Sequence, residues 1–143
     1  MAAAIYPSFF FTVVLLFITL YFLLGGLPLL VLKHDVPLDA RFIRRFFEVY
    51  YKAAFWASAC ACASFALWLR PGFAIGAAAL AGVAKFVQGL LVPAMQRLGE
   101  RIETSDAVAI THFRRVHVAA LMVNVCQLVV LVWGTLQLSK ALS

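Results

Sequence analysis

Apolar residues run along this chain in four long blocks separated by short polar stretches. The first block extends from Ile5 to Leu32 without a charge. A bilayer crossing needs about 20 apolar residues, so the block predicts a span with length to spare. A tilt, or a break at Gly25-Gly26-x-Pro28, would absorb the excess. A polar connection from Lys33 to Arg45 follows. It contains Pro37 and Asp39, a helix-start pairing in which Asp39 is the expected cap. The second helix is expected from Ala40 to Leu69, with 46–69 in the membrane. Arg70-Pro71-Gly72 predicts a tight turn. The third span is expected over 73–96, followed by a second polar connection. That connection ends in Thr104-Ser105-Asp106, another capping signal. The fourth helix is expected from Asp106 to Leu138, with 114–138 in the membrane. The pattern predicts an all-α fold: an integral membrane four-helix bundle of two helical hairpins, forming a single transmembrane domain over residues 1–143.

Composition agrees with the pattern. The chain is 65% hydrophobic and 13% charged, with a mean hydropathy of +0.99. Soluble domains run near a quarter charged. A soluble core of this size cannot hide so much apolar surface, so lipid is expected to cover the remainder. The start, Met1-Ala-Ala-Ala-Ile5, lacks a basic segment, and the apolar run behind it is too long for a cleaved leader. It reads as a retained first span.

The net charge of +6 is read as a topology signal rather than a nucleic-acid footprint, because the cations sit between the spans. Lys33, Arg41, Arg44 and Arg45 flank one connection, and Arg97, Arg101, Arg114 and Arg115 flank another. Only Arg70 and Lys140 lie at the opposite side. The positive-inside rule then makes connections 33–45 and 97–113 cytoplasmic and both termini non-cytoplasmic. Arg44, Arg45, Arg114 and Arg115 are expected to meet anionic lipid headgroups. Ile43-Arg44-Arg45-Phe46 and Phe113-Arg114-Arg115-Val116 lie 70 residues apart. That spacing fits a duplicated hairpin, but any two helices entering from one side carry such arginines.

Helices in lipid associate through close packing and hydrogen bonds. Small residues for close approach occur at Ala53, Ala54, Ala57, Ser58, Ala61 and Cys62, and at Gly72-x-x-x-Gly76, Ala78-x-x-x-Gly82 and Gly89. The second and third helices are therefore expected to pack tightly, while the bulky first helix shows more surface to lipid. The same motifs would serve a homo-oligomer or a larger membrane complex.

Polar residues inside spans carry the candidate chemistry, since their burial in lipid is costly. Lys85 and Gln88 lie on the third helix. His117, Asn124 and Gln127, with Ala120, follow a 3-4-3 spacing that forms one stripe on the fourth. Glu48 and Lys52 lie one turn apart on the second. A polar seam centred on Lys85 is expected, and these seven residues are its candidate ligand contacts. The alternative is hydrogen-bonded glue between helices.

Cys60, Cys62 and Cys126 are an odd, intramembrane set that does not read as a disulfide framework. Met122 and Cys126, four apart, are read as core. No nucleotide loop, zinc spacing, Ser-His-Asp order or carboxylate pair is present, so neither an enzyme nor a metal or cofactor is expected.

Several features resemble the family of small four-span membrane proteins that includes transmembrane protein 205. They are Pro93 closing the third span, His112-Phe-Arg-Arg-Val-His117 followed by Leu121 and Asn124, and the aromatic pairs Phe46-Phe47 and Tyr50-Tyr51. The resemblance implies four spans and no settled activity. Lys85 has no counterpart in that pattern. The functional expectation is a protein that binds or moves a small anionic or amphiphilic ligand through the seam. An accessory subunit of a membrane complex is the second reading, and a redox subunit with His117 and His34 on haem the third.

Overall fold

The computed structural model describes residues 4–33, 36–104 and 106–142. Four helices account for nearly all of them: α1 (Ile5–Leu29), α2 (Pro37–Leu67), α3 (Pro71–Ile102) and α4 (Ala107–Leu142). Pro37 and Pro71 each open a helix, where a missing N–H costs nothing. The expected capping by Asp39 is not found. Val36 is the α2 N-cap, and Asp39 sits in the first turn without a capping bond. Asp106, by contrast, caps α4: its Oδ1 accepts from the amides of Val108 (2.9 Å) and Ala109 (3.3 Å). Its Oδ2 accepts from the Arg101 guanidinium. That hydrogen bond, then the Ala109 amide, holds the Asp106 carboxyl below its ordinary value.

The expected long connections are mostly helix. α2 already begins at Pro37, α3 runs through Pro93 to Ile102, and α4 restarts at Ala107, so the α3–α4 link is only residues 103–106. The helix starts expected at Ala40 and Asp106 lie within a few residues of those found, and the difference is at 97–102, expected as connection and found as the end of α3. Glu, Gln and Arg are good helix formers, and Arg41 Nη2 pairs with Glu103 Oε1 across 2.8 Å to tie the two ends together. The α2–α3 turn lies slightly earlier than expected, at Trp68–Arg70. Arg70 N–H donates to the Phe65 carbonyl and Leu69 N–H to that of Ala66. This is a Schellman closure with Leu69 (φ 58°) in the left-handed position usually given to glycine.

The helices form a square. α1 packs on α2 and α4, α3 packs on the same two, and neither diagonal pair makes a close backbone approach. The α2–α3 contact is the most extensive, as expected from the small residues of α2. It is built by buried alanines: Ala54, Ala57 and Ala61 on α2, and Ala74, Ala77, Ala81 and Ala84 on α3. The glycines expected to join them do not. A Cβ on Gly72, Gly76, Gly82 or Gly89 would meet nothing within 4 Å. Close approach requires glycine elsewhere, near the end of α1. A Cβ on Gly26 would stand 2.6 Å from Leu121 Cδ2, and one on Gly25 would stand 2.9 Å from Phe46 Cζ.

α1, α3 and α4 are long and apolar enough to cross a membrane. α2 carries charges as far as Lys52, and its uninterrupted apolar stretch begins only at Ala53. The chain is a membrane protein with an all-α bundle. The bundle buries 17% of the apolar window of α3, against 33% for α1 and α4. So α3, not α1, is the helix most open to its surroundings, which corrects the expectation for α1. Its small interior face needs little cover, whereas α1 inserts Leu15, Phe22 and Leu23 into the core.

Two substitutions separate these roles. Gly26→Val should destabilise the bundle by about 1–3 kcal/mol through overpacking. Gly76→Ala should leave it unchanged or slightly more stable. Denaturation in mixed micelles measures both.

Candidate functional site: a buried polar layer and an outward lysine

The stripe predicted on α4 is present. His117, Ala120 and Asn124 are fully buried, and Gln127 is 4% exposed. Opposite them, α2 presents two tyrosines that the sequence reading did not count as site residues. Tyr50 and Tyr51 are buried, and their rings span the diagonal that the backbones do not close. Tyr50 Oη donates to Asn124 Oδ1. Asn124 Nδ2 donates to Tyr51 Oη at 3.2 Å and to the Ala120 carbonyl at 2.9 Å. Thr19 Oγ1 of α1 lies 3.4 Å from Tyr50 Oη. One asparagine thus uses its oxygen and both amide hydrogens on protein groups, joining α1, α2 and α4.

Aromatic rings surround this network. Phe22 of α1 stacks on Tyr50 at 4.0 Å between centroids, and Phe47 meets the His117 ring edge-on at 5.1 Å. Buried tyrosines ordinarily find a hydrogen-bond partner for the hydroxyl. Two adjacent tyrosines in an expected span, with an asparagine on another helix, were therefore the available signal. Farther along the axis, Gln127 Oε1 and Nε2 and Ser58 Oγ are buried with no hydrogen-bond partner.

The expected centre of the seam lies elsewhere. Lys85 is exposed on the outer flank of α3, with its Nζ 5.7 Å from the Phe55 ring centroid. Its neighbour Ala84 occupies the interior position, and successive residues turn by about 100° around a helix. Packing alanines against α2 thus fixes Lys85 outside. Along α3 it stands roughly 18 Å from Arg97 and roughly 22 Å from Arg70 at 1.5 Å per residue, near the middle of the span. Glu48 and Lys52 also lie on the outer side. Lys52 Nζ is 2.8 Å from Glu48 Oε1, and Arg45 Nη1 is 3.5 Å from Glu48 Oε2. Gln88 is half-buried. Of the seven expected contacts, the structure gathers His117, Asn124 and Gln127 inside, without Lys85, Glu48 or Lys52.

Met122 and Cys126, expected in the core, are exposed on α4. Cys60 and Cys62 are half-buried, and all three cysteines are free. His34 lies outside the described residues, and His112 is exposed. Among the described residues no three His, Cys, Asp or Glu side chains converge on one point. Arg45, Arg114 and Arg115 are exposed, and Arg44 is half-buried. No family model matches the chain, and neither the curated proteins nor the solved structures contain a significant match to it.

The network and the unpartnered amide respond differently to substitution. Asn124→Leu strands the buried Tyr51 hydroxyl and leaves that of Tyr50 the long Thr19 contact, and should cost about 2 kcal/mol or more. Gln127→Met removes a polar group without a protein partner and should be neutral or stabilising. Unfolding free energies of the two variants against the parent chain test the contrast.

Proposed function

We propose that this protein is an intramembrane docking subunit, held against another integral membrane protein through the face of α3 around Lys85. The observation that carries the reading is the exposed lysine near the middle of an apolar span. A charge at the bilayer centre costs about 2.5–3.5 kcal/mol on insertion scales, and such residues almost always face protein or a water-filled cavity. Within its own bundle the Lys85 ammonium meets the Phe55 ring at 5.7 Å and is otherwise exposed. Snorkelling does not relieve it, because the side chain is much shorter than the roughly 18 Å to the arginine-rich end.

The surrounding surface suits a helix. Ala78, Gly82, Lys85 and Gly89 follow a 4-3-4 spacing on one exposed strip of α3. Small residues there allow a neighbouring helix to approach closely. Charge complementarity selects a partner helix with a carboxylate at that depth. A second copy of this chain does not supply one. Its six acidic residues all lie at Glu48 or nearer the arginine-rich end, and Glu48 is roughly 10 Å along the axis from Phe55, beneath Lys85.

The ligand-seam reading is less well supported. It needed Lys85 inside, and the polar atoms of Asn124 are taken by Tyr50, Tyr51 and Ala120. The resemblance to transmembrane protein 205-like chains adds the expectation that all four helices cross. α2 would then cross beside its hairpin partner α3. The arginine-rich end faces the cytoplasm on this reading, with both termini on the other side.

The test of docking is purification from the native membrane in mild detergent, with a photo-crosslinking residue at Gly82. An integral membrane partner with an acidic span residue should crosslink. Lys85→Met should lose it while the bundle's melting stays unchanged, and Lys85→Arg should retain it. Exchanging the charges between Lys85 and the partner's acid should restore the pair. Retention in Lys85→Met, or crosslinks only between copies of this chain, would overturn the reading.

Orientation is tested by labelling intact cells with an impermeant maleimide in a cysteine-free background. Arg70→Cys should react and Thr104→Cys should not. The reverse pattern would invert the topology.

A further inference from the structure

A second surface, independent of the α3 face, lies between α1 and α2. We propose that this groove binds one anionic phospholipid of the leaflet at the arginine-rich end. An acyl chain lies in the groove, and the phosphate meets Arg45. The inference rests on the membrane placement of the bundle, not on the docking reading.

The groove encloses about 370 Å³. Tyr21 of α1 and Phe42, Phe46 and Val49 of α2 contribute to its lining, and Ala53 lies at its inner end. Phe46 is held in place by stacking on Phe22, with centroids 5.2 Å apart and planes 8° from parallel. Gly25 makes room for it, since a Cβ there would stand 2.9 Å from Phe46 Cζ. Tyr21, Phe42 and Val49 are largely exposed, so the lining is open from the outside. Among the described residues that line the groove, Arg45 is the charged one. Ala53 is eight residues farther along α2, roughly 12 Å deeper. A cation at headgroup level above an apolar slot of that depth matches a phosphodiester above the first part of an acyl chain.

The local charge favours an anion. Arg45 Nη1 lies 3.5 Å from Glu48 Oε2, while Glu48 Oε1 is taken by Lys52 Nζ at 2.8 Å. The three groups sum to one positive charge. The longer Arg45–Glu48 contact, exposed on the Arg45 side, is weak, which leaves Arg45 able to turn to a phosphate.

Four other arginines at this end lack the combination. Arg41 and Arg44 line a crevice between α2 and α3 that also holds Glu100 and Glu103, and Arg41 is paired to Glu103. Those carboxylates oppose an anion. Arg114 and Arg115 lie on a shallow patch of α4 beside Thr111, Val118 and Ala119, without a second wall. A zwitterionic lipid gains less in the α1–α2 groove, because the Glu48 carboxylate near its mouth is already shared by two cations.

The experiment is native mass spectrometry of the full chain in mild detergent. Dioleoyl phosphatidylglycerol or dioleoyl phosphatidylcholine is added at equal concentration. The parent chain should retain one phosphatidylglycerol in preference to phosphatidylcholine. Arg45→Gln should lower that preference about fivefold, the scale of one basic contact with an anionic lipid. Ala53→Phe, which fills the inner end, should reduce retention of both lipids. The double variant Arg114→Gln, Arg115→Gln should keep the preference. Inorganic phosphate should not displace the retained lipid. An unchanged preference in Arg45→Gln, an equal loss in the α4 double variant, or displacement by inorganic phosphate would each overturn the proposal.

Discussion

Hydrocarbon offers no hydrogen bonds, so each polar group carried into a membrane must be satisfied by the protein or be tolerated at a cost. In this bundle the constraint is met at Asn124. Its side chain accepts from Tyr50 and donates to Tyr51 and to the Ala120 carbonyl, and Thr19 extends the chain of contacts to α1. The network crosses the α2–α4 diagonal, where side chains bridge what backbones do not. α1, α2 and α4 are therefore held in register by directional bonds, and aromatic rings from Phe22 and Phe47 fill the space around them. Without those bonds, rings against lipid-like neighbours would specify the helix rotation only weakly.

α3 is held differently. It contributes no hydrogen bond to the Asn124 network and approaches α2 through alanines. That packing sets the rotation of α3, and the rotation carries Lys85 to the outside. The outward lysine is thus a consequence of the tight α2–α3 hairpin. It leaves on the surface a charge whose contact within the bundle is the Phe55 ring, on a helix more open than α1 or α4. Stability and function accordingly separate. The interior polar groups serve cohesion, and on the docking proposal the exterior cation serves recognition. The arginine-rich end adds a further division, with Arg41 spent on Glu103 to latch α2 to α3 and Arg45 turned toward an apolar groove.

Much of the fold was legible because lipid-scale apolar blocks, Pro37 near a helix start and the Asp106 cap are local signals, whereas Pro71, expected within a turn, opens α3. Helix ends were less legible. The polar residues of 97–102 continue α3 instead of leaving it, since charge does not distinguish a loop from a helix end that projects into headgroups. The α4 stripe was readable from its 3-4-3 spacing, because burial of one member turns the others inward. Lys85 was misjudged for the opposite reason. Its cost in lipid was weighed, but Ala81 and Ala84 were not recognised as the competing interior face. Small residues carry little hydrophobic contrast, so periodicity does not reveal which side of an alanine-rich helix is buried. Tyr50 and Tyr51 were seen as aromatic and not as hydrogen-bonding, which hid half of the Asn124 network.

The central claim is that Lys85 stands near the bilayer midplane on the outer surface of the bundle and is covered by another protein in the native membrane. A nitroxide attached at Gly82→Cys, on the same exposed strip as Lys85, in a chain that lacks its native cysteines and keeps Lys85, reports this directly by power saturation. In purified vesicles the label should be highly accessible to oxygen and poorly accessible to a water-soluble nickel complex, the signature of a deep lipid-facing site. In native membranes its oxygen accessibility should fall as the partner covers it. A label inaccessible to oxygen in both settings would place the strip inside the bundle, and a nickel-accessible label would place it in water. Either result would contradict the account.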